Sequence, residues 1–323
     1  MRLATTEATL GTENSQAPDR AERSAQQKIL VIGTDTRIGA EFSAMLAESP
    51  HVVSVARDSI ELGGALERER NWREYKIIVN AGGYDSVDQA ETREGRVAAW
   101  SANAVVTGRL ARIARDYGII LVQFSSDDVF DGTKEGAYTE DDPLSPVSVF
   151  GQSRAAGELA AMAAPKHYII RAGWVMSNGA TFLNAMKRFA EDGSKPRVVN
   201  DLRGRLTFTH DLARAVRHLL AAEPEYGVYN VSSSGPVLTW EQIAREVFIR
   251  LGHNPARVRG CSAAEFHQSG AWTMATRPRN AVLDLGKITA TGFVPGDQYT
   301  RIREYLSDTL GASDLRDEVD LRA

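Results

Sequence analysis

The sequence predicts an α/β protein: a doubly wound parallel sheet with helices on both faces, and a smaller C-terminal lobe. Three observations carry this. Short β-branched runs recur at 28–33, 51–56, 76–83, 119–126 and 167–171. Amphipathic stretches of helical period separate them. The links are short, so successive strands are joined by crossovers and run parallel.

Lys28-Ile29-Leu30-Val31-Ile32-Gly33 is apolar without alternation and ends on glycine, as a buried parallel strand does. Ile38, Phe42, Met45 and Leu46 then form one helical stripe. His51–Ala56 and Lys76–Gly83 read as the second and third strands. Residues 94–117 make a long helix that stops near Gly118, and 119–126 is the fourth strand. A helix around 150–163 leads into a strand at 167–171. Beyond 172 the alternation loosens, with helices near 180–191, 209–222 and 239–251 and short strands such as 227–231. Residues 1–27 are rich in Thr, Glu, Ser, Gln and Ala and are expected to be a disordered extension. The expected division is then 28–171 for the sheet domain, 172–310 for the lobe with segments returning to the sheet, and 311–323 for a tail.

Composition bounds the function. Of 323 residues 43% are apolar and 25% charged, and a net charge of −4 offers no electrostatic pull toward nucleic acid or anionic membrane. Cys261 is the single cysteine, which excludes an intrachain disulfide and a cysteine metal cluster, and the histidines show no metal-ligand spacing. No metal site is expected. No apolar run reaches 18 residues, and no apolar signal core stands in residues 1–27, so the expected location is the cytoplasm. A homodimer is the default assembly.

Ligands of such sheets bind beyond the carboxyl ends of the strands. Gly33-Thr34-Asp35-Thr36-Arg37-Ile38-Gly39 joins a strand to a helix with the spacing of a dinucleotide turn, Thr36 standing where a middle glycine would be. Such a turn lets the backbone approach a pyrophosphate resting on the helix N-terminus; a plain strand-to-helix turn is the alternative. Arg57, after the second strand, suits the 2′-phosphate of NADP, although Asp58 is adjacent, and NADP(H) is preferred over NAD(H). Ala81, Gly82 and Gly83 are small enough for a cofactor to lie against, and Tyr84 follows them. In Ser125-Ser126-Asp127-Asp128, an extended chain would put Ser126 and Asp128 on the same side; a solvated, capped loop is the alternative.

Four segments in order resemble the extended short-chain dehydrogenase/reductases, and within them the dTDP-4-dehydrorhamnose reductases, over about residues 28–306. They are 80–91 (Asn-Ala-Gly-Gly-Tyr-Asp-Ser-Val-Asp-Gln-Ala-Glu), 125–132 (Ser-Ser-Asp-Asp-Val-Phe-Asp-Gly), Arg171-Ala172-Gly173-Trp174-Val175, and Arg277-Pro278-Arg279-Asn280-Ala281-Val282-Leu283-Asp284. The resemblance implies a Rossmann domain, a substrate lobe and hydride transfer from a nicotinamide to a sugar ketone. By position it makes Ser126 the catalytic hydroxyl. It gives cofactor contacts to Arg37 and Ile38, and substrate contacts to Trp174 and Arg279.

The resemblance also exposes a departure. The family's acid and its partner are a tyrosine and a lysine four residues apart; here those places hold Phe150 and Arg154. Phenylalanine has no proton to give. Arginine keeps a cation for the nicotinamide ribose, but it is not interchangeable with lysine. Asp128 stands where the family carries tyrosine, and Leu202 and Leu206 where it carries glutamine and proline.

Three readings follow. The first is an atypical NADP(H)-binding enzyme for a nucleotide sugar or related small carbonyl substrate, with Asp128 as acid and Tyr84 or a Ser126-held water as weaker candidates. Its reaction is a reduction or a repurposed non-redox step. The second is a catalytically inactive NADP(H)-binding regulatory subunit docked on a partner enzyme. The third is an ordinary reductase whose acid is another tyrosine, such as Tyr138 or Tyr168. Beside these, Thr209, His210 and Asp211 read as helix caps rather than a catalytic dyad, and Trp272 as lining either the substrate mouth or the core.

Overall fold

A computed structural model describes residues 28–47, 49–57, 70–177, 179, 181–268 and 275–310. The predicted extension 1–27, the tail 311–323, Asp58 and Trp272 lie outside the described residues.

The N-terminal half alternates strands and helices: β1 (Lys28–Ile32), α1 (Arg37–Met45), β2 (Val52–Val55), β3 (Tyr75–Asn80), α2 (Arg93–Trp100), α3 (Val106–Tyr117), β4 (Ile120–Ser126), α4 (Val149–Ala161) and β5 (His167–Ala172). Then come β6 (Val175–Met176), α5 (Phe182–Glu191), β7 (Arg197–Val199), β8 (Arg203–Gly204), β9 (Thr207–Phe208), α6 (Thr209–Ala222) and β10 (Gly227–Asn230). The chain closes with β11 (Leu238–Thr239), α7 (Trp240–Arg250), β12 (Arg259–Cys261), α8 (Ala263–Gln268), α9 (Gly286–Ala290) and α10 (Gln298–Leu310).

Six strands form one sheet in the order β10-β5-β4-β3-β1-β2, every neighbour parallel. The order reverses at β1, so the crevice between the ends of β1 and β3 is the topological switch point. The period of two sends Val31, Ile77, Val79, Val122 and Ile170 to one face, where Leu212 and Val216 of α6 and Phe42 of α1 cover them. Leu30, Ile32, Ile78, Leu121 and Ile169 go to the other, under Leu110 and Ile113 of α3 and Ala161 of α4.

Gly227–Asn230 returns to the sheet edge, while α5, α7 and α10 build a separate core around Leu183, Phe248 and Ile302. Arg171 at the end of β5 is buried with Glu158 of α4, at 2.8 Å, and its guanidinium lies 5.0 Å from the Phe130 ring.

Two local expectations are corrected. The helix predicted over 94–117 is broken by a π-helical stretch, Ser101–Val105, before ending at left-handed Gly118 (φ 69°). The extra residue in that turn carries Asn103, whose side chain bonds Tyr84 and Ser153. Thr209, His210 and Asp211 are not caps: the N-cap of α6 is Phe208, with no side-chain bond. Asp211 turns inward to Arg214 (2.7 Å) and Arg301 (2.6 Å), while His210 is exposed beside Glu41. The two guanidiniums offer the carboxylate charge-assisted bonds that two backbone amides do not match.

Candidate active site

At the switch point the backbone itself makes a cradle. Gly33 has φ +88°, and a Cβ there would sit 2.5 Å from Gly82 Cα, so the turn after β1 lies flush on the loop after β3. A Cβ on Gly39 would overlap the Gly33 carbonyl, which fixes how closely α1 abuts its strand. Thr36 does not crowd the cradle: its buried hydroxyl donates toward Gly33 O (2.8 Å) and Ala81 O (3.0 Å) and accepts Gly39 N–H (3.0 Å) as the N-cap. The first turn of α1, with Arg37 and Ile38, faces this crevice with its positive dipole end. Arg37 also reaches Asp85 across it at 3.8 Å. Beside it, Arg57 donates through Nε to Asp35 at 2.8 Å. Burial works to raise the Asp35 carboxyl, but the Arg57 backbone amide and guanidinium outweigh it and hold the group below its usual value. Backbone packed this closely at Gly33, Gly39 and Gly82, with Arg37 and Arg57 beside it, is the arrangement a dinucleotide-binding turn needs.

The corner at the end of β4 is different chemistry. The strand does not stay extended past Ser126; a 3₁₀ turn, Asp127–Val129, begins there with Ser126 as its cap. The alternation argument for Ser126 and Asp128 therefore fails, yet the turn brings them closer than alternation would. Ser126 Oγ lies 3.0 Å from Asp127 Oδ1 and 3.2 Å from Asp128 Oδ2, and accepts Asp128 N–H at 3.1 Å. A hydroxyl has one proton to donate. It faces two carboxyl groups while accepting the Asp128 amide. Burial, then the neighbouring Asp128 charge, drives the Asp127 carboxyl well above its ordinary value. Burial also raises Asp128, while Arg277 first, then the Ser126 hydroxyl and Arg154, pull it back down. Ser126 thus joins two carboxyl groups that burial pushes above the ordinary aspartate range. Gly173 is required beside it, because any Cβ there would occupy the space of the Asp127 carboxylate.

This electrostatic account carries a stability test. Asp127 holds its proton more tightly folded than unfolded. Its stabilisation is complete below the ordinary value of 3.8 and is lost as pH rises through the folded value. Asp127→Asn should raise the thermal midpoint over wild type at about pH 8 and give no gain at about pH 4. Equal shifts at both would remove the charge argument.

Phe150 is buried in the first turn of α4, which Ser148 and Glu91 cap at Gly151 N–H (3.0 Å) and Val149 N–H (2.9 Å). Phe150 packs in a cluster with Ala90, Ala99 and Val149, against which Tyr84 and Val87 rest. Arg154 stands over the Phe150 ring at 5.1 Å. Its guanidinium donates to Phe124 O (3.0 Å) and Tyr84 O (2.9 Å), stapling the ends of β3 and β4 together, and its buried Nε has no partner among the described residues. Burial lowers its pKa to about 10 against the pull of Asp85 and Asp128.

Tyr84 is a weaker acid than a free tyrosine, because burial, then the charge of Asp85, raises its phenol. The hydroxyls of Tyr138 and Tyr168 are committed to Asp131 (2.9 Å) and Pro224 O (3.0 Å), and burial first pushes Tyr168 up to about 12.

From the lobe, Trp174 (φ 50°) is half-buried and stacks on Trp240 at 3.9 Å. Arg279 is exposed; it is Arg277, two residues before it, that turns inward to Asp88 at 3.0 Å and acts on Asp128. The structure therefore gathers Ser126, Asp128, Phe150, Arg154 and Tyr84 at one corner and leaves Arg279 outside it. Sequence reasoning missed Asp127, Asp88 and Arg277. Position in the quoted motifs was the one available signal for them.

Residues 27–310 match the family described as the RmlD substrate binding domain. A dTDP-4-dehydrorhamnose reductase of Burkholderia thailandensis is 35% identical over 270 residues, 79% of this chain and 90% of its own length. The crystal structure of a dTDP-4-dehydrorhamnose reductase from Clostridium acetobutylicum covers 88% of this chain and 100% of its own, at 27% identity and a TM-score of 0.79. A dTDP-4-dehydrorhamnose reductase from Bacillus anthracis, solved in complex with NADP, shares the fold: TM-score 0.76, 23% identity, 88% of this chain and 99% of its own.

Proposed function

Because the chain belongs to the RmlD substrate binding domain family, we propose that it is an NADP(H)-dependent reductase of a nucleotide-linked keto sugar. In this reading the Ser126–Asp127–Asp128 corner replaces the phenolic acid. The observation that carries the reading is one hydroxyl shared by two carboxyl groups of raised pKa. When bound, the dinucleotide supplies the hydride. Ser126 orients the keto oxygen. Asp128 yields the proton, Asp127, the more deeply buried of the pair, passes one on through Ser126, and solvent restores it. Phe150 keeps the aromatic wall and excludes water, and Arg154 holds the floor rather than tuning an acid.

The NADP(H) preference rests on Arg57. It uses Nε on Asp35, which leaves its outer Nη groups to grip a 2′-phosphate. One observation favours the second reading, an NADP(H)-binding partner subunit without turnover: Arg154 grips backbone where the family's lysine would hold the ribose.

The full chain mixed with NADPH and dTDP-4-dehydrorhamnose should consume NADPH. Arg57→Ala should weaken NADPH about tenfold or more by calorimetry while leaving NADH nearly unchanged. NADPH binding without consumption would select the partner-subunit reading, and binding of neither dinucleotide would end both.

A further inference from the structure

The missing phenol leaves the keto oxygen one hydrogen-bond donor short, and the lobe offers another. Resting on the reading of Ser126 and Asp128 as the reacting corner, we propose that Arg277 is a catalytic residue. Its Nη1 donates the second hydrogen bond to the keto oxygen of the substrate, and Asp88 is the positioning residue that aims it.

Four observations converge. The Arg277 side chain is only 18% exposed, unusual for a guanidinium. Asp88 Oδ1 holds Arg277 Nη2 at 3.0 Å and the Ala275 amide at 2.9 Å, so one carboxylate oxygen fixes both the guanidinium and the backbone that carries it. Arg277 Nη1 is buried with no acceptor among the described residues, a costly arrangement unless a ligand supplies one. The geometry seats the segment near the corner: Pro278 Cα would stand 2.6 Å from a Cβ on Gly132, close after the 3₁₀ turn that carries Asp128, and among charged neighbours Arg277 exerts the strongest pull on that carboxyl.

The chemistry follows from the side chain. A guanidinium does not surrender its proton at neutral pH, so Arg277 cannot be the acid. It can hold the negative charge that builds on the keto oxygen, as an oxyanion donor does. Acid and charge holder, one residue in a tyrosine-based site, become two residues here. The substrate class is a sugar whose keto oxygen lies within reach of Ser126 and Arg277 together.

The test uses the full chain with ¹³C-labelled aspartate carboxyls. The Asp128 resonance is identified by its loss in Asp128→Asn. The charged groups that face Asp128 are Arg277, Arg154, Asp88 and Asp127. Arg277→Gln should move the Asp128 midpoint upward by about one pH unit. Arg277→Lys, which keeps the charge, should leave it near the wild-type value. With dTDP-4-dehydrorhamnose, Arg277→Gln should lower kcat by about a hundredfold with little change in KM, and Arg277→Lys should recover part of that loss. Affinity for dTDP should not change.

An unmoved midpoint in Arg277→Gln overturns the proposal, and so does a loss of dTDP binding, which would assign Arg277 to the nucleotide. Full turnover in Asp128→Asn, with Arg277→Gln still impaired, would end the Asp128 reading and leave Arg277 standing.

Discussion

Asp128→Asn will lower turnover by about 10² to 10⁴, or about 3–5 kcal/mol of barrier, and leave NADPH affinity unchanged. The substitution keeps shape and removes the transferable proton. Asp128 stands at the end of β4, bonded to Ser126, whereas the cradle is built from Gly33, Thr36, Gly39 and Gly82 one and two strands away. The two functions separate for that reason. In the proposed mechanism burial qualifies Asp128 as an acid, and Arg277, the Ser126 hydroxyl and Arg154 keep its proton from being held too tightly to give up. NADPH consumption and calorimetry on one preparation check both halves of the expectation. A variant that turns over like wild type would move the proton donor elsewhere, Tyr84 being the next candidate.

The largest structural effect is expected at Glu158. Glu158→Gln should destabilise the protein by about 3–5 kcal/mol, seen as a lower urea midpoint. Arg171 and Glu158 have side chains 2% and 0% exposed, and Glu158 takes Arg171 Nε at 2.9 Å and Nη2 at 2.8 Å. Removing one partner strands the other charge in the core, where water cannot reach it. Arg171 also donates to Glu140 O at 3.1 Å, so the loss would loosen the chain beyond β5 that carries Gly173 and Trp174. Replacing both partners with apolar residues, Arg171→Met with Glu158→Leu, should recover most of the stability, because no orphaned charge remains. A single variant as stable as the double would contradict this account.

The sheet was legible because its signal is local. Unbroken, β-branched apolar runs such as Ile29–Ile32 and Ile119–Val122 read as buried strands, and Gly33 and Gly118 mark turns that need positive φ. The helix at 209–222 was read to its ends, but its capping was not, since Asp211 is claimed by Arg301, ninety positions later in the chain. The corner was half legible. Ser126 and Asp128 stand out by their place at the end of the fourth strand, where an extended chain would put them on one side, and the chain turns there instead. Asp127 looked like a loop acid until burial made it the more strongly perturbed of the pair.

Arg277 and Arg279 share one motif, and spacing alone does not reveal which side chain enters. Asp88, 189 positions before Arg277, decides it. Contacts of that range come from how the lobe folds back on the sheet, and no local pattern encodes them.

In the proposed mechanism a carboxyl group takes over the role of the phenol. The pH dependence of single-turnover NADPH oxidation tests it most directly, with wild type beside Asp128→Asn. The wild-type rate should fall as pH rises through a midpoint above the ordinary 3.8 of an aspartate, about tenfold per pH unit, and the variant should be slow and lack that midpoint. A wild-type profile flat across about pH 5 to 9, or a variant that keeps the wild-type midpoint, would contradict it.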